Sequence, residues 1–174
     1  MLLEGCNMQT KHVQIVMSAH VYGARRLFGG QLMEWIDVTA AVAARRHAQS
    51  DVTLAAVDAL EFIEPVQLND TVMLAAEITW TGRTSMEVRV DTFVEHLCGQ
   101  QNLVNRAYLV FVAIDEHGKP RQIEPLKPET EAQRTAWQQA IERREQRLSR
   151  HKTGTSDDAI GRVSVPKQTS LDVR

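Results

Sequence analysis

One short stretch of the chain, Arg26-Leu-Phe-Gly-Gly-Gln-Leu-Met-Glu-Trp-Ile-Asp37, combines two adjacent glycines with a carboxylate in an apolar run. Gly29 and Gly30 open a segment with helical spacing, so the first amides of that helix are unpaired donors at its positive end. Paired glycines also let a bound molecule approach the backbone closely. Asp37 follows about two turns later, where an ionised carboxyl group is costly to bury without a partner. The pattern predicts either a reactive carboxylate near an anion-binding helix end or a structural carboxylate paired with a buried arginine.

The elements that must position these residues follow from the spacing of apolar side chains. Residues 31–47 have helical spacing and end in three basic residues, as suits a helix C-terminus. Besides a short strand at 12–17, alternating or wholly apolar stretches predict strands at 53–63, 71–80, 85–95 and 103–114. Alternation places Trp80 on the same face as Ile78. We expect an α+β fold in which the long helix is wrapped on most sides and buried against an antiparallel sheet.

Pro125 and Pro128 mark a boundary after the last predicted strand. The charged segment 129–152 has helical spacing with a thin apolar stripe, which is typical of a helix that packs on its own domain or on a sister subunit. The predicted organisation is an N-terminal extension at 1–11, a main domain at 12–125, the charged helix at 126–152 and a disordered tail at 153–174.

Composition narrows the class of protein. The 174 residues carry a formal net charge of −2, which gives no global basic surface for nucleic acid or for a membrane. No run of about 18 apolar residues occurs that could span a bilayer, and the first residues lack the pattern of a signal peptide, so we expect a cytoplasmic protein. Cys6 and Cys98 form no disulfide framework, and the six histidines lack ligand spacing, so we expect no metal site.

Three stretches in register resemble the hotdog-fold acyl-CoA thioesterases, most closely their bacterial acyl-CoA hydrolase branch. They are Leu27–Asp37, Val57-Asp-Ala-Leu-Glu-Phe62 with Pro65, and Gly82-Arg-Thr-Ser-Met-Glu-Val88. The resemblance implies a hotdog fold, a long central helix wrapped by an antiparallel sheet. It implies hydrolysis of acyl-CoA thioesters to carboxylic acid and coenzyme A, with no cofactor beyond the coenzyme A of the substrate. It also implies a homodimer joined edge to edge, assembled as a trimer of dimers, with active sites between two protomers.

The same resemblance implies roles for single residues. Asp37 activates water or attacks the thioester carbonyl directly, and the amides at Gly29 and Gly30 stabilise the oxyanion. Tyr22 completes this predicted catalytic group. The residues implied to contact the substrate are Arg26, Phe28, Arg83, Thr84 and Ser85. As plain sequence, Thr84 and Ser85 could instead cap local amides, and Arg83 could pair with a nearby carboxylate.

Tyr22 departs from the family pattern. The position two residues after His20 usually holds an asparagine that helps to place the water or the carbonyl, and no asparagine occurs between Ser18 and Gly30. A tyrosine hydroxyl can donate a hydrogen bond, but it is larger and reaches farther than an amide. Three alternatives stay open: an active thioesterase in which Tyr22 substitutes, a non-catalytic acyl-CoA or nucleotide binder, and an assembly or regulatory subunit acting through helix 129–152.

The remaining charged residues receive structural interpretations. Alternation places Asp58 on the same face as Leu60, and it predicts solvated positions for Glu87 and Glu95. Arg106 is a candidate counter-ion for a buried carboxylate. Because coenzyme A carries several phosphates, basic groups are expected near the mouth of the site. The candidates are Arg25, Arg26, Arg45, Arg46 and Arg106.

Overall fold

The computed structural model describes residues 9–154. In chain order the elements are β1 (Thr10–Ile15), β2 (Val21–Tyr22), β3 (Arg26–Leu27), α1 (Gly29–Ala48), β4 (Asp51–Phe62), β5 (Thr71–Thr81), β6 (Ser85–Glu95), β7 (Gln101–Ile114) and α2 (Glu131–Gly154), with a 3-10 turn at Ser18–His20. The predicted strands and helices are confirmed. β1 begins two residues early and so takes the end of the extension predicted at 1–11. The rest of that extension, 1–8, and the predicted tail from 155 onward lie outside the described residues.

The five long strands form one antiparallel sheet in the order β1-β5-β6-β7-β4, and β2 pairs with β3 in a separate hairpin. α1 packs on one face of the sheet, called here the inner face, and the opposite face is called the outer face. The hydrophobic core lies between α1 and the inner face. This is the α+β layout predicted from the sequence. Within residues 9–154, no helix combines the length and the apolar character needed to cross a membrane.

α1 is rich in alanine, a strong helix former, and it ends where Gln49 adopts a left-handed conformation with φ of 50°. The Gln49 amide donates to the Arg45 carbonyl at 2.9 Å, which closes the last turn. The buried side chains of α1 are Leu32, Trp35, Ile36, Thr39, Ala40, Ala43, Ala44 and Ala48. Met33, Val38 and Val42 stay exposed on the helix surface. The expectation that α1 is wrapped on most sides is therefore corrected, because an apolar face remains open.

β4 is a 12-residue strand at the edge of the sheet, and its pairing with β7 is irregular on both sides of Val57. Beside this irregularity Asp58 pairs with Arg147 of α2, whereas Leu60 packs against the core. The prediction that Asp58 and Leu60 share a face is wrong, because an extra residue in one strand shifts the alternation of side chains.

A second irregularity lies in β5 between Ile78 and Trp80. Ile78 belongs to the core, but the Trp80 ring contacts the ring of Trp137 in α2, with centroids 6.3 Å apart. The prediction that Trp80 shares the face of Ile78 is therefore also wrong, and for the same reason. Trp80 forms part of the seat of α2.

α2 lies on the outer face and buries Ala140, so this charged helix packs on its own domain. Glu87, predicted to be solvated, is only 1% exposed. Its carboxylate accepts two hydrogen bonds from Arg143, at 3.1 and 2.7 Å, and one from Thr79 Oγ1 at 2.7 Å. The Arg143 guanidinium also lies 3.8 Å from the centre of the Tyr108 ring. The prediction for Glu87 was wrong because its counter-ion comes from a helix 56 residues further along the chain.

Candidate active site

A cleft of about 290 Å³ opens at the N-terminal end of α1. The β2–β3 hairpin forms one wall, and the end of β4 with the loop after it forms the other. The lining residues are Tyr22, Arg26, Leu27, Gly29, Leu32 and the segment 62–66. Most of this lining is apolar, while Arg26 and Glu64 supply one basic and one acidic group. Such a cleft can hold an extended, largely apolar molecule and orient it with a few polar contacts.

Phe28 and Gly30 fit together at this cleft. A Cβ atom on Gly30 would lie 2.5 Å from Phe28 Cε1, so the ring can take its place only because this residue is a glycine. The Phe28 ring meets the Tyr22 ring edge to face, with centroids 5.5 Å apart. Tyr22 is 66% exposed, so its hydroxyl-bearing ring is open to solvent. The structure thus brings together Tyr22, Phe28 and Gly30, three of the residues predicted for the site.

Gly29 and Gly30 are the first two residues of α1. Their amides have no carbonyl four residues back within the helix, and the preceding residue, Phe28, provides no side-chain cap. Gly29 also lines the cleft, where a Cβ atom would make only an ordinary contact of 3.7 Å with Phe62. The start of α1 therefore offers donors at the positive end of a 20-residue helix, an arrangement that suits an anion or a developing oxyanion.

Asp37 lies in the middle of α1. Its Oδ1 atom is buried and accepts no hydrogen bond from any described residue. Burial raises the pKa of the Asp37 carboxyl group above its ordinary value of 3.8. None of the ion pairs within residues 9–154 joins Asp37 to an arginine, so the alternative of a carboxylate paired with a buried arginine is not what the structure shows. An unpaired, partly desolvated carboxylate of this kind is a stronger base than an ordinary aspartate.

The predicted substrate residues Arg83 and Thr84 lie in the β5–β6 turn, and Ser85 is the first residue of β6. The Arg83 carbonyl accepts a hydrogen bond from the Ile123 amide at 3.1 Å, and the next residue, Glu124, bonds to His47 at the end of α1. This turn therefore lies near the C-terminal end of α1, opposite to the cleft. Because a helix rises 1.5 Å per residue, the first and last turns of α1 are roughly 25 Å apart. One chain does not bring these residues to the cleft.

Asp37 is also separated from the cleft within one chain. Asp37 follows Gly29 by eight positions along α1, which corresponds to about 12 Å, and it is not part of the cleft lining. The predicted site therefore consists of three parts at the start, the middle and the end of one helix. Within the described chain, the three parts do not line a common cleft.

The arginines proposed for phosphate binding differ in their availability. Arg106 binds Asp91 through two hydrogen bonds, at 2.5 and 3.1 Å, which raise the pKa of its guanidinium. Arg45 pairs with Asp51 at 2.9 Å on the surface, and Arg46 donates to a side-chain hydroxyl of β1 at 3.1 Å. Arg26 lines the cleft. Of the candidates, Arg26 is thus the one that the structure brings to the cleft.

Sequence reasoning missed the contribution of the β4 end, residues 62–64, to the cleft. The available signal was Pro65, which terminates the strand and forces the chain to turn beside α1. It also missed the arginines of α2 that neutralise Asp58 and Glu87, for which no local signal exists. Within residues 9–154, no group of three or more His, Cys, Asp or Glu side chains is placed to hold a metal ion.

Comparison of the sequence with known families agrees with this geometry. The thioesterase superfamily profile matches residues 25–97, from the hairpin beside the cleft to the hairpin after β6. The chain is 38% identical over 125 residues to the uncharacterized acyl-CoA thioester hydrolase YkhA of Bacillus subtilis, a match covering 71% of this chain and 73% of that protein. It is 28% identical over 167 residues to acyl-coenzyme A thioesterase 11 of Mus musculus, covering 95% of this chain but 28% of that much longer protein.

Solved structures share the architecture. The acyl-CoA hydrolase of Staphylococcus aureus, solved with butyryl coenzyme A, coenzyme A and coenzyme A disulfide, superposes with a TM-score of 0.80 at 29% identity, covering 85% of this chain and 91% of that one. A hexameric acyl-CoA thioesterase, solved without ligand, gives a TM-score of 0.79 at 33% identity, covering 82% and 92%. A long helix with a glycine-rich start, packed on a five-stranded antiparallel sheet, defines the class as a hotdog-fold protein. The chain belongs to the acyl-CoA thioester hydrolases of the thioesterase superfamily.

Proposed function

We propose that this protein hydrolyses acyl-CoA thioesters to a free carboxylic acid and coenzyme A, with Asp37 as general base or nucleophile. The observation that carries the proposal is the buried, unpaired Oδ1 of Asp37, which lies within the segment 25–97 that the thioesterase superfamily profile matches. As a base, Asp37 takes a proton from water while the water oxygen attacks the thioester carbonyl carbon. The negative charge then develops on the carbonyl oxygen, which the Gly29 and Gly30 amides of a second copy of the chain can stabilise. Collapse of this intermediate breaks the C–S bond, and the leaving thiolate of coenzyme A takes up the proton held by Asp37, which restores the carboxylate.

A second copy of the chain completes the site in this proposal. β4 has no partner along its outer edge within the described chain, and Leu54, Val57 and Phe62 on it are exposed. A long apolar edge strand of this kind is a template for pairing with another strand. If two copies pair along β4 about a two-fold axis, their α1 helices run antiparallel. The β5–β6 turn of one copy, with Arg83, then lies on the side of the other copy's cleft, and Asp37 of one copy can lie beside the first turn of the other copy's α1.

Larger assembly is part of the proposal as well. Related acyl-CoA thioesterases of solved structure are hexameric, at 33% and 28% identity to this chain. We therefore expect six copies, arranged as a trimer of the dimers described above. The cytoplasmic location predicted from the sequence belongs to the same proposal, as does the absence of nucleic-acid and membrane partners.

A second candidate function, acyl-CoA binding without turnover, is favoured by two side chains. The Staphylococcus aureus hydrolase has been solved as alanine variants of one asparagine, one aspartate and one threonine. That asparagine precedes the aspartate by fifteen residues, and the threonine follows it by seventeen. The same spacings counted from Asp37 fall on Tyr22 and Leu54, which differ in size and in hydrogen-bonding capacity from an amide and a hydroxyl.

The test is hydrolysis of a panel of acyl-CoA esters of increasing chain length, followed by detection of the released thiol. We expect turnover by the parent protein and a loss of about 10² to 10⁴-fold in Asp37→Asn, the range typical of removing a general base. Glu34→Gln is the matched control, because it removes an exposed carboxylate from the same helix. Full activity of Asp37→Asn would refute the catalytic role of Asp37.

Assays of the parent protein alone distinguish acyl-CoA binding without turnover from hydrolysis. It predicts saturable binding of coenzyme A esters with no thiol released from any of them. In that case Tyr22→Asn is the informative variant, since the smaller amide restores the side chain that the family usually carries. Turnover that is absent in the parent and present in Tyr22→Asn would establish the binding function for this chain.

A further inference from the structure

The end of β4 forms one wall of the cleft, and β7 holds this end by hydrogen bonds on both sides of Phe62. On one side, Asn105 Nδ2 donates to the Glu61 carbonyl at 2.7 Å. On the other side, the Ile63 amide donates to the Val104 carbonyl at 2.9 Å. Two neighbouring residues of β7 therefore fix the backbone that carries the Phe62 ring.

The Phe62 ring lies beside the start of α1. A Cβ atom on Gly29 would lie 3.7 Å from Phe62 Cζ, and both residues line the cleft. The Phe62 residue is 56% exposed, so packing against the core does little to hold its ring. β4 is also the last strand of the sheet, and its pairing with β7 is irregular. The position of the ring therefore depends on how firmly the end of β4 is tied to β7.

Asn105 is a polar residue at a position where the alternation of β7 predicts an apolar one. It is fully buried, it comes two residues before Ala107 of the core, and it lies directly opposite Phe62. Its Oδ1 atom accepts no hydrogen bond from any described residue. A buried acceptor without a donor costs free energy that an apolar side chain would avoid. The stability of the core therefore does not explain this amide, whereas the bond to Glu61 gives it a task.

Thr92 of β6 offers a direct comparison, because it lies opposite Asn105 on the other side of β7. It is equally buried, and its Oγ1 atom also lacks a hydrogen-bond partner among the described residues. Directly opposed residues of antiparallel strands share a face of the sheet, so the two polar side chains are neighbours. Of the two, Asn105 is the one that is bonded to the end of β4.

We propose that Asn105 is a positioning residue that sets which acyl groups the cleft accepts, because it holds Phe62 as the wall beside Gly29. This inference rests on the proposed function, in which the amides of Gly29 and Gly30 bind the thioester carbonyl oxygen. The acyl chain attached to that carbonyl then lies next to the largely apolar cleft. A shift of the Phe62 ring changes the width of the cleft, and the fit of an apolar pocket discriminates between chains that differ by single methylene groups.

The experiment measures binding of coenzyme A and of its S-alkyl thioethers, from S-methyl to S-decyl, to the full-length protein by calorimetry. A thioether has no carbonyl to hydrolyse, so affinity is measured without turnover, and its dependence on alkyl length is called here the chain-length profile. Asn105→Leu keeps a buried side chain of similar size but removes the bond to Glu61. We expect it to weaken binding of the thioether that the parent prefers about tenfold. It should also flatten the chain-length profile and affect coenzyme A itself much less.

Three further variants show whether Asn105 acts through the cleft wall. Thr92→Val is the matched control and should keep the parent's profile, because it changes an equally buried polar residue that has no bond to β4. Phe62→Ala should reproduce the flattened profile, and adding Asn105→Leu to it should cause little further loss, since both changes act on one wall. Asn105→Ala removes the same bond with less bulk, and it takes the place of Asn105→Leu if the leucine variant does not fold.

The inference is overturned if a folded Asn105 variant keeps the parent's chain-length profile or weakens binding of coenzyme A to the same extent. It is also overturned if the effects of Asn105→Leu and Phe62→Ala add in full, if Thr92→Val causes the same loss, or if the parent binds no thioether more tightly than coenzyme A. Thiol release judges the catalytic proposal separately. A parent that shows the expected profile but hydrolyses no acyl-CoA supports the inference and refutes the catalytic proposal alone. Hydrolysis combined with a profile that does not depend on Asn105 refutes the inference alone.

Discussion

Replacing Arg143 with methionine asks whether α2 is an essential part of the domain or a detachable interaction element. In the structure Arg143 neutralises Glu87, whose side chain is 2% exposed while that of Arg143 is 20% exposed. Methionine keeps most of the aliphatic packing but removes both charge-assisted hydrogen bonds and the contact with the Tyr108 ring. Glu87 then remains buried with one hydrogen bond, from Thr79.

The size of the effect follows from this geometry. Removing one partner of a buried ion pair costs about 3 to 5 kcal/mol, because the other charge is left without compensation. The retained Thr79 bond and the partial exposure of Arg143 place this case near the lower limit, at about 3 kcal/mol. For a domain of this length, that corresponds to a fall in Tm of about 6 to 12 °C. Arg134→Met is the matched control, since its pair with Glu131 is mostly exposed and is worth under about 1 kcal/mol.

Urea denaturation at a fixed protomer concentration measures these differences, because the stability of an oligomer depends on concentration. The double variant Arg143→Met with Glu87→Gln should recover part of the loss, since an amide is less costly to bury than an unpaired carboxylate. If Arg143→Met is no less stable than Arg134→Met, the buried pair contributes nothing and the reasoning fails. If the loss occurs as expected, deleting α2 unfolds or weakens the domain. The packing role of α2 is then established, and the alternative of a subunit acting through helix 129–152 concerns only the exposed face of that helix.

Two further outcomes are expected. Gly30→Ala should lower kcat/KM far more than Gly29→Ala, because the new Cβ atom displaces the Phe28 ring at Gly30 but meets an ordinary 3.7 Å contact at Gly29; equal effects in a steady-state assay would argue against the glycine fit. Activity should fall as the pH drops through the raised pKa of Asp37, since the ionised carboxylate is the reactive form. Because its pKa is raised, the Asp37 carboxyl group stays protonated in the folded protein at pH values above 3.8, where an unfolded aspartate is ionised. The free energy of unfolding therefore falls as the pH rises from 3.8 through the raised pKa. Asp37→Asn should be more stable than the parent at pH 7 but not at pH 3. The opposite trend in urea titrations at the two pH values would show that the carboxylate is not desolvated.

The amino-acid sequence by itself determined the elements and the class. Helical spacing over residues 31–47 and alternation over 71–80 and 85–95 are local patterns, and local patterns report local structure. The motif around Gly29, Gly30 and Asp37 was equally visible, since its residues are neighbours in the chain. That is why the fold, the family and the cleft beside the glycines could all be predicted from residue order.

Only the tertiary structure decided which face several polar side chains take. Irregular pairing in β4 and β5 turns Asp58 and Trp80 to the outer face, and a shift of one residue reverses every face assignment beyond it. The counter-ion of Glu87 comes from 56 residues away, a distance over which sequence spacing carries no contact information.

The separation of the predicted site is the clearest case of this kind. The cleft lies at the start of α1, Asp37 in its middle, and the β5–β6 turn near its end. Because a helix rises 1.5 Å per residue, the first and last turns of α1 are about 25 Å apart regardless of which residues it carries. Residue types therefore indicated the chemistry, while the three-dimensional path of the chain decided that the predicted site residues do not lie together within one copy.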